Sequence, residues 1–174
     1  DLGGGSLELV RVENRIVQAK VSLPLGAVKL AKRFVGNTSE PSVQSEMNAI
    51  SAHVNETLSS TGFQLPLSPF YMVATGGAFT TARAVFAEAK NITFEENPIL
   101  TFSDLSGFLA EVASLSINQR VEQFPPLPAG RADITPTALI VILTLLEYFN
   151  VTEVHHSLRN LRFGLAAKLL DFSN

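Results

Sequence analysis

Asp1-Leu2-Gly3-Gly4-Gly5-Ser6-Leu7-Glu8-Leu9-Val10, the stretch DLGGGSLELV at residues 1–10, decides how the rest of the chain is read. Three consecutive glycines stand between an acid and a hydroxyl, and an apolar/polar alternation follows. Glycine lets backbone N–H groups approach a ligand with no Cβ in the way. Such a loop between two strands can cradle a phosphate through Gly3, Gly4 and Gly5. Ser6 then adds a donor, and Asp1 faces a metal ion or its waters. The same residues also suit a glycine-rich hairpin turn, and taken alone the turn has the better claim.

With 174 residues the chain is one domain with room for a real core. Hydrophobic residues make up 46% and charged residues 17%, and a formal net charge of −3 implies no basic face for nucleic acid. There is no cysteine, which removes disulfides and thiolate chemistry and suits the cytoplasm. His53, His155 and His156 lack zinc-site spacing. The most apolar run, Ala138 to Leu146, is too short to span a bilayer, so no membrane partner is expected. The chain opens without Met, inside what reads as a motif, and is expected to be one domain of a longer protein.

Ser6 to Val12 alternates as a strand with Leu7, Leu9 and Val12 inward, turns at Glu13-Asn14 and returns through Arg15 to Leu23. After a bend at Pro24 and Gly26, Ala27 to Phe34 is a short helical or extended segment. A helix is expected to open at Glu40-Pro41, with Met47, Ile50, Val54 and Leu58 on one face and Gly62 as its stop. Phe70 to Ala74 reads as a buried parallel strand. Helices follow from Phe79, from Asp104 to Leu115, and briefly after a Ser116/Gln119 capping box, before the prolines at 125, 126 and 128. Thr135-Pro136 starts a helix to Phe149 that is apolar nearly all round and so should be buried. Val151 to His156 is a last strand. Asn160 to Phe172 is a last helix, striped by Leu161, Leu165 and Leu169. This order predicts an α/β domain over 1–174 with a hairpin edge.

A second glycine pair, Gly76-Gly77, lies between the expected strand and helix of FYMVATGGAFTTARAVF. The N–H groups of residues 75–78 would face outward at a helix N-terminus, an intrinsic anion site. A plain strand-to-helix turn accounts for the pair equally well. Both glycine turns end strands of one sheet and could open on one crevice.

Five stretches now carry a resemblance. DLGGGSLELV is similar to the phosphate-binding signature of the exopolyphosphatase/guanosine pentaphosphate phosphatase family, with its Asp, hydrophobic residue, three glycines, Ser and Glu. SLPLGAVKLAKRF resembles the segment after that family's first hairpin, and ATGGAFTTA its glycine-glycine-threonine turn. LSINQRVEQFPPLPAGRADITPTAL resembles its short helix and Arg-Ala-Asp motif, here Arg131 and Asp133. VHHSLRNLRFGLAAKLL resembles its closing strand, Ser, Leu-Arg-x-Gly and helix. The matches keep the family's order and cover essentially the whole chain.

The resemblance implies an actin-like, ribonuclease-H-like α/β domain, a mixed sheet with an N-terminal hairpin and helices on both faces. It would be the second of two domains that close around phosphates. Asp1, Gly3, Gly4, Gly5, Ser6, Gly76, Gly77 and Arg162 would bind phosphate, and Asp1 and Glu8 would hold Mg²⁺. The catalytic glutamate and a second phosphate loop would belong to the first domain, so this chain alone should be inactive. The implied protein is a bacterial, cytoplasmic hydrolase that cleaves phosphoanhydride bonds of polyphosphate or guanosine pentaphosphate. Its protein partners would be its own first domain and a second copy of itself.

Departures from the family pattern stand at Leu7 and Ala78, where Thr is usual, and at Lys32, where Glu is usual. Asn160 and Phe163 interrupt the family's Gly-Leu-Arg-Glu-Gly ending. These lost polar groups keep two other readings open: a non-catalytic module that senses guanosine polyphosphate or polyphosphate, and a kinase domain of the actin-like superfamily. Among the remaining polar residues, Arg131 and Asp133 are expected to form an ion pair at a helix start. Arg159 should lie on a solvated face. The His155-His156 doublet should point one ring in and one out.

Overall fold

Asn14 and Arg15, at positive φ of 51° and 64°, form the tight turn that joins β1 (Leu7–Glu13) to β2 (Ile16–Leu23) as an antiparallel hairpin. The computed structural model describes residues 1–67 and 69–171, apart from the side chains of Leu161, Arg162, Leu170 and Asp171. After the hairpin come α1 (Ala27–Phe34) and α2 (Gln44–Ser60), then β3 (Val73–Ala74) and α3 (Gly77–Ala89). Next are β4 (Ile99–Thr101), α4 (Phe102–Ala113) and α5 (Ile117–Gln123). The last three elements are α6 (Thr135–Tyr148), β5 (Glu153–His156) and α7 (Leu161–Asp171). A second sheet has the order β3-β5-β4, with β3 parallel and β4 antiparallel to β5.

Helix α6 is buried at every residue from Thr135 to Leu146, because its apolar circumference leaves no face for water. It packs against α1, α2, α3 and α4, and its mid-helix Thr144 hydroxyl meets Ser51 Oγ at 3.2 Å. Ile50, Val54 and Leu58 bring the apolar face of α2 into the same core.

A single arginine fastens the far side. Arg120 is 1% exposed and donates from Nε to Val112 O and from its terminal nitrogens to the carbonyls of Thr38, Glu40 and Ala132, all within 3.1 Å. Four backbone acceptors around one fork hold the 37–42 loop against α4 and α5.

Several expectations are corrected. Val12 is 53% exposed, because it has the opposite parity to Leu7 and Leu9 and the pairing register shifts between Arg11 and Val12. Helix α2 begins at Gln44 and not at Glu40-Pro41, whose backbone is held by Arg120 instead. The strand expected over Phe70 to Ala74 shrinks to two residues, with Ala74 buried but Phe70, Tyr71 and Val73 exposed at a sheet edge. Leu165 and Leu169 lie on an exposed face of α7, not in the core, while Leu161 has no described side chain. Strand β4, three residues that run straight into α4, has no periodicity of its own to announce it.

Candidate functional site

The first glycine loop is closed at its base and open at its tip. Asp1 N donates to Glu8 O and Glu8 N to Asp1 O, both at 2.9 Å, and Leu2 bridges Leu7. Gly3 N donates to Ser6 O at 3.0 Å. The carbonyls of Gly3 and Gly4 accept from Ala27 N and Lys29 N at 3.1 and 3.0 Å, so the loop caps the start of α1, which has no side-chain cap. Every peptide here is trans, and in a trans unit N–H points opposite to C=O. The N–H groups of Gly4 and Gly5 are therefore turned away from α1, and neither has a protein acceptor among the described residues. Gly3, expected as a phosphate donor, spends its N–H inside the turn.

Gly26 explains how the loop sits so low on α1. A Cβ on Gly26 would run into the backbone of Gly4, Gly5 and Ser6, so only a bare Cα fits beneath the loop. Gly26 is thus more than the bend expected after Pro24, and the Leu25-Gly26-Ala27-Val28 run carries the signal for it.

The second turn adjoins the first. Leu2 N donates to Thr75 O at 3.2 Å. Gly76 has φ +114° and ψ 161°, a conformation open only to glycine, and a Cβ there would collide with Leu2 O and lie 3.0 Å from Asp1 Oδ1. Gly76 precedes α3, whose N-terminus has no side-chain cap. Among the described residues the amides of its first turn have no acceptor, and they lie beside the Asp1 carboxylate.

Among the described residues one positive group stands over the second turn. The Arg131 guanidinium lies over Gly77, where any Cβ would displace it. The expected Arg131–Asp133 ion pair is not formed; Asp133 instead acts on Arg120, where its charge opposes the downward effect of burial on the guanidinium. The Arg131 backbone is fixed by Thr135 Oγ1, which donates to its carbonyl at 2.8 Å. Arg162 is the second residue of α7, and its side chain lies outside the described residues. Arg159 is exposed.

A buried relay behind Gly76 was invisible in the sequence. Thr80 Oγ1 donates to Gly76 O at 3.1 Å and meets His156 Nε2 at 3.2 Å, while His156 Nδ1 lies 3.4 Å from Arg83 NH1. A guanidinium can only donate, so Nδ1 accepts; this complementarity assigns the imidazole proton to Nε2, donating to Thr80. Burial, with the Arg83 charge behind it, pushes His156 down to about 4. Arg83 is held in turn by Phe94 O and Glu95 O, with its guanidinium 4.2 Å above the Phe94 ring centre. His156 is 5% exposed and His155 half-buried, so the doublet divides as its strand position requires.

For a metal the donor set is small. The Asp1 carboxylate has no hydrogen bond among the described residues. Glu8 has its pKa lowered, first by the Ser6 hydroxyl and then, against some burial, by Ser22 Oγ, which donates to its Oε1 at 2.8 Å. Among the described residues no three His, Asp or Glu side chains converge as a metal cluster. Asp1 and Glu8 together offer two carboxylates, a donor set too small for an all-protein cage and of the kind that suits Mg²⁺ only if waters and ligand oxygens complete its shell.

Among the described residues no helix is long and apolar enough to cross a membrane. No curated protein matches the chain. The family model described as the Ppx/GppA phosphatase family matches residues 1–172. Among solved structures, an Aquifex aeolicus member of the Ppx/GppA family superposes with a TM-score of 0.84 at 21% identity, covering 99% of this chain and 55% of that one. An exopolyphosphatase from Cytophaga hutchinsonii superposes with a TM-score of 0.80 at 19% identity, covering 98% and 55%. A type II variant of the Aquifex aeolicus phosphatase gives 0.75 at 21%, covering 90% and 51%. The chain thus spans about half the length of the solved structures it matches, and it shares their actin-like α/β fold. The chain belongs to the Ppx/GppA phosphatase family.

Proposed function

We propose that the two glycine turns hold the phosphates of a polyphosphate or guanosine polyphosphate. In this reading the chain is the second, C-terminal domain of a cytoplasmic phosphoanhydride hydrolase. One observation carries it: the Leu2–Thr75 hydrogen bond ties the outward amides of Gly4 and Gly5 to the uncapped start of α3. Amides fixed before the ligand arrives need no reorganisation to meet its charge. Arg131 over Gly77 adds a cation at the same place, and Ser6 supplies a hydroxyl. Mg²⁺ would be held by Asp1, with Glu8 as the second carboxylate, and would neutralise part of the phosphate charge. The attacking water would be aligned by a glutamate of the partner half, so this chain binds without turnover.

The test is an NMR titration of the chain with pyrophosphate and Mg²⁺. Amides of Gly4, Gly5, Gly76 and Gly77 are expected to shift together, with a dissociation constant of about 1 mM, which needs only about 4 kcal/mol. Shifts confined to Lys29, Lys32 and Arg33, with both turns silent, would reduce the reading to nonspecific anion attraction. Ala78 favours a second reading, a sensing module. It stands in the first turn of α3 without the hydroxyl usual in the family, a loss that binding tolerates better than turnover.

A further inference from the structure

Arg83 carries a buried charge that no carboxylate answers. It is 7% exposed on α3, and its hydrogen bonds go to neutral groups alone. Nε donates to Phe94 O at 2.8 Å, Nη2 to Glu95 O at 3.2 Å and Nη1 to His156 Nδ1 at 3.4 Å. No ion pair forms at it among the described residues. A guanidinium keeps its proton, and a cation withdrawn from water is costly unless an opposite charge is supplied. Arg120, also buried, differs here, because the Asp133 charge acts on it.

The bonds that lead away from Arg83 through His156 all run one way. Nη1 donates to Nδ1, which leaves the imidazole proton on Nε2 to donate to Thr80 Oγ1; the Thr80 hydroxyl then donates to Gly76 O. Thr80 N donates to the same carbonyl at 3.1 Å. The Gly76–Gly77 peptide is trans, so the Gly77 N–H points opposite to that carbonyl, off the start of α3. It has no acceptor among the described residues. A series of donors therefore begins at a buried charge and ends at the mouth of the second turn. Donors aligned in this way polarise one another, each bond strengthening the next.

We propose, on the reading that the second turn holds phosphate, that the Arg83–His156–Thr80 series carries the pull of the Arg83 charge into the Gly76–Gly77 peptide. The Gly77 amide then grips a phosphate oxygen more tightly than an isolated helix end would, and the bound anion supplies the charge that Arg83 lacks. Arg83 and His156 touch no anion. They are positioning residues that act through Thr80 and the peptide.

The experiment follows the Gly4, Gly5 and Gly77 amides and the His156 Nε2 proton by NMR as pyrophosphate is added at constant Mg²⁺ and neutral pH. In the unaltered chain the Gly77 amide and the His156 ring proton should move together, with one midpoint. Thr80→Val cuts the series in the middle, so pyrophosphate should bind about fivefold more weakly and the ring proton should stop responding. His156→Leu should cost as much, and the double variant no more than either alone, because one cut already breaks the series. His156→Gln should recover most of the affinity, since its amide accepts from Arg83 and donates to Thr80. Should His156→Leu fail to fold, the ring proton and Thr80→Val decide alone. A His156 proton that stays still while the Gly77 amide moves overturns the proposal. So do losses that add in the double variant, or an affinity that Thr80→Val leaves untouched. Silence of the glycine amides at both turns in the unaltered chain would instead end the phosphate reading, and the relay's part in it.

Discussion

The first glycine loop is held from below by backbone, and the second turn is held from behind by side chains. Gly3 and Gly4 give their carbonyls to the start of α1, over a Gly26 that leaves no room for a methyl group. Gly76 gives its carbonyl to Thr80, which leans on His156 and, through it, on Arg83. Each construction occupies the carbonyls and leaves amides unspent, so the N–H groups facing solvent are a consequence of what the C=O groups do. The difference lies in what can disturb them. The first loop is sensitive to bulk, and the second to protonation.

Bulk gives the largest expected effect. Gly26→Val would drive a branched side chain into the backbone of Gly4 to Ser6. A loss of about 3 kcal/mol is expected, read as a fall of about 10 °C in melting temperature. The pyrophosphate shifts at Gly4 and Gly5 should vanish in any fraction that still folds. A variant as stable as the parent would show that the loop floats free of α1 and that the two turns are not built differently.

Protonation comes next. His156 is held at about 4 in the fold against 6.5 when unfolded, so between those values the unfolded chain binds the extra proton. Stability should therefore fall as pH drops from 6.5 toward 4, by up to about 3 kcal/mol in all. Glu8 and Glu96 also carry lowered pKa values, but their loss falls below 4.5. Burial also lowers the Asp1 amino group from 8.0, which adds a fall that begins above pH 6.5, so the mark of His156 is the part of the slope between pH 6.5 and 4.5 that His156→Gln removes in urea unfolding measured across that range. An unchanged slope would remove the imidazole from the support of the second turn.

This contrast also explains what the sequence made legible. The buried α6, the hairpin, the Ser116/Gln119 capping box and the two glycine turns all announce themselves through periodicity or through local turn chemistry. The Thr80–His156–Arg83 relay does not, because His156 lies more than seventy residues from Thr80 and Arg83 and meets them only once β5 lies beside β3. Phe70 to Ala74 looks like a buried strand because its composition is that of one. In the structure it lies at a sheet edge, so only Ala74 is buried while Phe70, Tyr71 and Val73 stay exposed. Arg120 and Arg131 show the same limit. Eleven positions apart and alike on paper, one is enclosed by four carbonyls while the other lies in the open over Gly77.

Gly76→Ala sharpens the comparison at a smaller scale. The residue has a φ of +114°, and a methyl group would press on Leu2 O. A cost of about 2 kcal/mol is expected by thermal unfolding, together with loss of the Leu2–Thr75 hydrogen bond that joins the turns. Pyrophosphate should then shift Gly4 and Gly5 without Gly77. Joint shifts that survive in this variant would mean the turns respond to the anion through something other than that bond.

The smallest effect separates support from recognition. Arg131 is exposed, and its backbone is held by Thr135 Oγ1 and by Ile134 N whatever its side chain. Arg131→Ala should leave stability within about 0.5 kcal/mol, as surface substitutions usually do. If the guanidinium over Gly77 meets the bound anion, its removal should weaken pyrophosphate about fivefold, equivalent to about 1 kcal/mol. Arg131→Lys should recover only part of that, since an ammonium keeps the charge but not the planar fork. High salt should shrink the difference between the variants, because an exposed charge is screened. Equal affinities in all three chains would assign the anion to the backbone amides alone. Arg131 would then be a cover for Gly77, and the two turns, for all their difference in support, would bind by one means.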